Sequence, residues 1–151
     1  MKYVSQQYSA PRLAALLVLC LALVSVAKLS KASIGNVSKA DLAGNWQVSL
    51  LSSGGGCGGG TTQVNFTLNA TGVATNATEV SHSAGCGNTT STGNTFTINS
   101  VNASGAGTAG LSCGSGCGFT FAIQVAPDRG SFNLVDVTDP GQFIAGVAIH
   151  Q

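Results

Sequence analysis

Charge is what this chain has least of: six Lys or Arg and five Asp or Glu in 151 residues. From Asp41 onward the only Lys or Arg is Arg129, set against Asp41, Glu79, Asp128, Asp136 and Asp139. Nucleic-acid affinity rests on basic side chains clustered along a phosphate backbone, so this composition argues against DNA, RNA and anionic membrane surfaces as partners. Proton-transfer chemistry is equally short of material. The histidines are His82, in a Ser/Gly-rich stretch that reads as a loop, and His150, next to the C-terminus, where a frayed, exposed end is expected. There is no G-x-S-x-G elbow, no Cys-x-x-Cys pair and no marked Ser-His-Asp grouping. Asp136 and Asp139 would point to opposite faces of an extended strand, Asp128 and Asp139 read as turn formers, and Glu79 stands alone. We therefore expect no catalytic residue, no cofactor, no resident metal and no enzyme activity.

Large aromatic side chains suited to recognition are scarce too. Both tyrosines, Tyr3 and Tyr8, fall in the first residues, and the single tryptophan is Trp46. Binding hot spots lean on Trp and Tyr. Trp46 shares parity with Val48 and Leu50, so it reads as a core anchor rather than a stacking platform.

One long apolar run is present, and it is at the start. Leu13–Ala27 follows Lys2 and Arg12, is shorter than the roughly 20 residues of a membrane span, and ends on Ser25-Val26-Ala27, small residues of the kind signal peptidase reads. We read 1–27 as a signal peptide cleaved after Ala27, which makes the protein exported, periplasmic or extracellular, with no membrane insertion after cleavage. An uncleaved anchor is the alternative, favoured by Lys28 and Lys31. Cys20 lies inside the apolar run behind bulky Leu19, unlike a lipidated cysteine.

Loss of the leader removes Cys20 and leaves Cys57, Cys86, Cys113 and Cys117, an even set that reads as two disulfides in an oxidising compartment. The preferred pairing is Cys57 with Cys86 and Cys113 with Cys117. A zinc site adding His82 to the cysteines is the weaker alternative, because it lacks the paired Cys-x-x-Cys spacing.

Residues 28–40 are polar, carry Lys28, Lys31 and Lys39, and read as a flexible lead-in to one domain over 41–151. Within it apolar residues alternate with polar ones: Trp46/Val48/Leu50, Val64/Phe66/Leu68, Phe96/Ile98 and Phe119/Phe121/Ile123/Val125. Ser131–Val137 and Gln142–Ile149 are apolar on both parities in places. Val101–Cys113 alternates with very small residues, which predicts a strand that another group can approach closely. Asn69-Ala70-Thr71-Gly72, Pro127-Asp128-Arg129-Gly130 and Asp139-Pro140-Gly141 supply turn chemistry, with the left-handed positions assigned to glycine. Asn-Ala-Thr/Ser recurs at Asn69, Asn76 and Asn102 at unequal spacing and reads as composition bias. The sequons at Asn36, Asn65, Asn69, Asn76, Asn88 and Asn102 read as polar strand faces of a bacterial protein. No segment has helical periodicity. The expectation is an all-β domain of about eight antiparallel strands, a meander β-barrel in preference to a β-sandwich, because an apolar final strand would otherwise be an exposed edge.

At Asp41-Leu42-Ala43-Gly44-Asn45-Trp46 the chain resembles the G-x-W opening of the calycin barrels, the lipocalins and avidins, which implies an up-and-down barrel with Trp46 closing one end. Lipocalins pair that tryptophan with a late arginine; here the late arginine is Arg129, in a turn, and the later T-D-Y-type motif is missing. The several Trp and the Tyr of an avidin-type biotin site are also missing, so biotin is not implied. With its Asp139-Pro140-Gly141-Gln142-Phe143 ending, the chain also resembles small exported bacterial β proteins, a likeness that implies no activity. The function expected is that of a non-enzymatic envelope or surface protein, structural or adhesive, with an envelope partner. The alternative is a small-molecule-binding β-barrel with an apolar ligand between the Val101–Cys113 and Gly118–Val125 strands.

Overall fold

A computed structural model describes residues 35–113, 118–138 and 141–151. The leader 1–27, Cys117 and the Asp139-Pro140 pair lie outside them. Eight strands follow one 3-10 turn, Ala40–Leu42: β1 Gly44–Gly54, β2 Gly60–Leu68, β3 Val73–Ser83, β4 Gly87–Val101, β5 Ala106–Ser112, β6 Gly118–Val125, β7 Ser131–Asp136 and β8 Gln142–His150. Each pairs antiparallel with its neighbour in sequence, and β8 returns to β1, from Trp46 opposite His150 to Gly54 opposite Gln142, closing the barrel. The apolar last strand is thereby an interior member of the sheet rather than an edge, as expected from its composition.

Alternation drives the assembly, because successive strand side chains point to opposite faces. Trp46, Val48 and Leu50 on β1, Val64, Phe66 and Leu68 on β2, and Phe121, Ile123 and Val125 on β6 all face inward and are buried. Phe66 stacks on Phe96 with centroids 4.4 Å apart, and Trp46 packs tilted against Phe132 at 4.8 Å. Asn, Thr, Ser and Gln occupy most outward positions, for example Asn45, Gln47, Gln63 and Thr67. That is the reverse of a transmembrane barrel, whose outer band is apolar.

Antiparallel connectivity gathers the strand ends into two sets. At one end, which we call the closed end, the 3-10 turn lies across the barrel: Leu42 is fully buried and its carbonyl accepts the Trp46 indole Nε1–H at 2.8 Å. The chain already packs on the barrel from Val37, which is buried and whose N–H donates to the Ala103 carbonyl. At the other end, the mouth, lie the β1–β2 and β3–β4 connections with Cys57 and Cys86.

Three local readings change. Val101–Cys113 is not one strand: β4 ends at Val101, a turn occupies 102–105, and β5 begins at Ala106. The cause is Asn102, whose Oδ1 accepts from Ser104 N, Ser104 Oγ and Ala106 N, with Gly105 in the left-handed region at φ 83°. Asn69 builds the same turn, accepting from Thr71 N, Thr71 Oγ1 and Val73 N, with Gly72 at φ 81°. The Asn-Ala-Thr/Ser recurrence is therefore structural wherever glycine follows it. At Asn76, Glu79 follows instead and the chain runs on as β3. Last, in the β6–β7 turn Arg129, not Gly130, takes the left-handed conformation, at φ 61°. A non-glycine residue there is strained; the side chain it directs reaches Asp41 at 3.2 Å and the Gly35 carbonyl.

Candidate functional site

The barrel interior changes chemistry along its axis. Toward the closed end the inward positions are apolar; toward the mouth they include Ser52, Thr62, Glu79, Ser81, Ser91 and Asp136. Plain alternation brings Ser52, Thr62 and Asp136 inward, and two bulges bring in Glu79, Ser81 and Ser91. Between the pairs Ala74/Phe96 and Ala77/Asn94, β3 carries one more residue than β4, so inward parity passes from Ala74 to Ala77 and on to Glu79. Between Ala77/Asn94 and Glu79/Ser91 the extra residue is on β4, where Gly93 has φ 73°, and Ser91 joins Asn94 on the inside. Uninterrupted alternation from Ala74 would have put Val80 inside and Glu79 in water. Instead Val80 is 48% exposed and Glu79 is half-buried.

Asn94 is 4% exposed and organises the group: its Nδ2 donates to Ser91 Oγ at 2.7 Å and to Glu79 Oε2 at 3.3 Å, while the Ser91 hydroxyl reaches the same Oε2 at 3.5 Å. Glu79 Oε1 has no hydrogen-bond partner among the described residues. Burial pushes the Glu79 carboxyl above its usual range, and the Ser91 hydroxyl opposes that only in part. No counter-charge is at hand. Among the described residues Lys and Arg are represented by Lys39 and Arg129 alone, and both lie at the closed end, the second paired with Asp41. Asp136, also on an inward position of the mouth half, has Oδ1 bound by Thr138 N and Oδ2 buried with no partner.

A cavity of about 290 Å³ occupies this region, lined by Glu79, Ser81 and Thr89, by Thr62, by Phe119 and by the glycine-rich loop around Cys57. The Cys57–Cys86 disulfide ties that loop to the β3–β4 connection across 29 residues of chain. Cys113 is also held in a disulfide; its expected partner Cys117 lies outside the described residues. With Cys57 and Cys86 oxidised, the zinc alternative is overturned, and the described residues hold no group of three metal-ligating side chains.

Other residues singled out in the sequence are dispersed. His82 is on β3 rather than in a loop; its Nδ1 contacts Asn88 Oδ1 at 2.6 Å, and it borders the mouth cavity. His150 is not frayed: it ends β8, its N–H donates to the Gly130 carbonyl, and its ring meets Trp46 edge-on at 4.9 Å. That ring also explains the glycine of Gly44-Asn45-Trp46, since a Cβ on Gly44, at φ 136°, would run into His150 Nε2. Between β5 and β6 the interior is filled by Ala109, Leu111, Phe121 and Ile123, all buried, so the cavity lies at the mouth, where Phe119 alone borders it from those two strands, and not along that seam. A second hollow, about 560 Å³, lies at the closed end where β2 and β3 splay beyond the Asn65/Thr78 pair. It is lined by Asn and Thr together with Trp46, Phe66 and Gln151 and contains no ionisable side chain.

No protein-family model matches this chain, and no curated protein matches its sequence.

Proposed function

We propose that this is an exported, non-enzymatic binding barrel that receives a small ligand in its disulfide-clamped mouth. The observation carrying the reading is the mouth cavity with Glu79 held inside it by Asn94 and Ser91. Ligand sites are concave and pre-formed, with few polar groups in fixed orientation, and the mouth of a barrel is a recurrent place for them. Export is supported by the Leu13–Ala27 leader pattern and by a disulfide, which fits an oxidising compartment. Kinship with the calycin barrels is supported by the eight-stranded closure and by Gly44-Asn45-Trp46 at the end opposite the mouth. The test is a native mass of the protein isolated from its own source, repeated after denaturation without reductant. Extra mass that disappears on denaturation is the expected result; a bare chain, with a thermal midpoint unmoved by any member of a small-molecule panel, would overturn the reading.

A structural or adhesive role in the envelope is the second reading. It rests on the outer face of β8, where Phe143 (74% exposed), Val147 and Ile149 form an apolar stripe bordered by Leu51 and Val135, both opposite Ala145. Exposed apolar surface of this continuity marks interaction sites. Replacing Phe143 and Ile149 by Ser would then free the protein from envelope fractions while leaving the mouth intact.

A further inference from the structure

Resting on the mouth as the binding site, we infer that the ligand it takes is a small organic cation, an ammonium group held by the Glu79 carboxylate in a cavity that also offers the Phe119 ring. The lining holds a single carboxylate, Glu79, whose Oε1 has no protein partner, beside the hydroxyls of Ser52, Thr62, Ser81 and Thr89, which accept as well as donate, and it contains no Lys or Arg. His82 also borders it, with Nδ1 on Asn88 Oδ1. An ammonium brings three N–H donors, which the carboxylate and hydroxyl oxygens can accept. An aromatic face adds attraction for a cation that it would not add for an anion. Phe119 is partly buried beside Phe121, which holds its ring near the cavity wall at a centroid separation of 6.3 Å.

Other ligand classes fit worse. An anion would meet the Glu79 carboxylate with no Lys or Arg in the lining to offset it. A calcium ion needs about six to eight oxygen ligands including carboxylates, and the cavity lining offers a single carboxylate. A large apolar ligand finds little to pack on, since Phe119 is the one large apolar side chain in a lining mostly of glycines, hydroxyls and a carboxylate. The half-buried carboxylate also gives the site its driving force: it has hydrogen bonds at Oε2 but no counter-charge, and a cation from solution offsets part of the cost of its burial.

The test uses n-butylammonium chloride, with n-butanol as neutral isostere and sodium butyrate as anion, titrated into the natively purified protein and followed by amide shifts in two-dimensional NMR. Butylammonium is expected to shift the Glu79, Ser91 and Phe119 amides saturably and to bind at least about tenfold more tightly than either control, the scale of a charge-assisted contact. Glu79→Gln keeps acceptor and shape for Asn94 and Ser91, and it is expected to remain folded by circular dichroism and to lose that preference. Phe119→Leu should weaken binding a few-fold as an independent check. Equal binding of butanol or butyrate at these amides, undisturbed in Glu79→Gln, would overturn the cation inference and leave the mouth as a binding site. No shift at the mouth with any of the three would overturn both.

Discussion

The two ends of this barrel solve opposite problems. At the closed end, Leu42, Trp46 and Phe132 are buried, the indole N–H is satisfied by the Leu42 carbonyl, and the entry turn is tied to the β6–β7 turn by Asp41 and Arg129. At the mouth the same strands carry hydroxyls and carboxylates inward, a glycine-rich loop bounds the cavity, and a covalent bond holds the loops. Packing stabilises one end; a disulfide substitutes for packing at the other. The difference teaches where function sits: a site must contain polar groups that are not fully satisfied, and such groups oppose folding.

The largest effect is expected from Trp46→Ala, about 3–5 kcal/mol of destabilisation in urea unfolding, the range for removing a buried large aromatic; a smaller value would mean that the closed end is not the stability anchor. Cys57→Ser with Cys86→Ser should lower stability by about 2–4 kcal/mol, as expected for a loop of this length. In hydrogen exchange that loss should appear first in the β1–β2 and β3–β4 connections, with the β1 amides near Trp46 remaining the most protected. Asn102→Ala and Asn69→Ala each remove three hydrogen bonds from a turn and should each cost about 1 kcal/mol or somewhat more. Asn76→Ala, lacking that turn, should shift the thermal midpoint far less.

The smallest effects are electrostatic and have opposite signs at the two ends. Glu79 has its carboxyl raised by burial, so its contribution is fully present below the unfolded-state value and is lost as pH rises through the folded-state value. Asp41 is held low by the Ser38 hydroxyl and backbone N–H, with Arg129 adding to it. Its contribution is present above the unfolded-state value and is lost as pH falls through the folded one. Across the acid range of a stability profile, Glu79→Gln should therefore remove a gain on acidification, and Asp41→Asn should remove a loss. Identical profiles for the two variants would erase the distinction between the ends.

Much of the fold was legible because period-two alternation is a local property. Trp46/Val48/Leu50 and Phe121/Ile123/Val125 have the inward parity that their sequence predicts, and Cys57–Cys86 is the preferred pairing. The site was not legible. Glu79 looked isolated because its inward direction depends on an extra residue in β3 relative to β4, and a bulge is a property of two strands together. Arg129 looked like an ordinary turn residue because its partners, Asp41 and Gly35, come from the start of the domain. One local signal does separate the three sites: glycine follows Asn-Ala-Thr at Asn69 and Asn-Ala-Ser at Asn102 but not Asn-Ala-Thr at Asn76, and only the first two turn.

Alternation and turn chemistry act within a few residues, so the all-β class, most of the strands and the inward faces of the regular ones are readable from the sequence alone, whereas Cys57–Cys86 is one of three possible pairings that the sequence left open. The folded barrel alone fixes the register in which β8 meets β1, the packing of His150 on Trp46, and the turning of Glu79 with Ser91 and Asn94 toward a cavity. Those outcomes depend on register between strands distant in the chain, and register is set by the whole closed barrel.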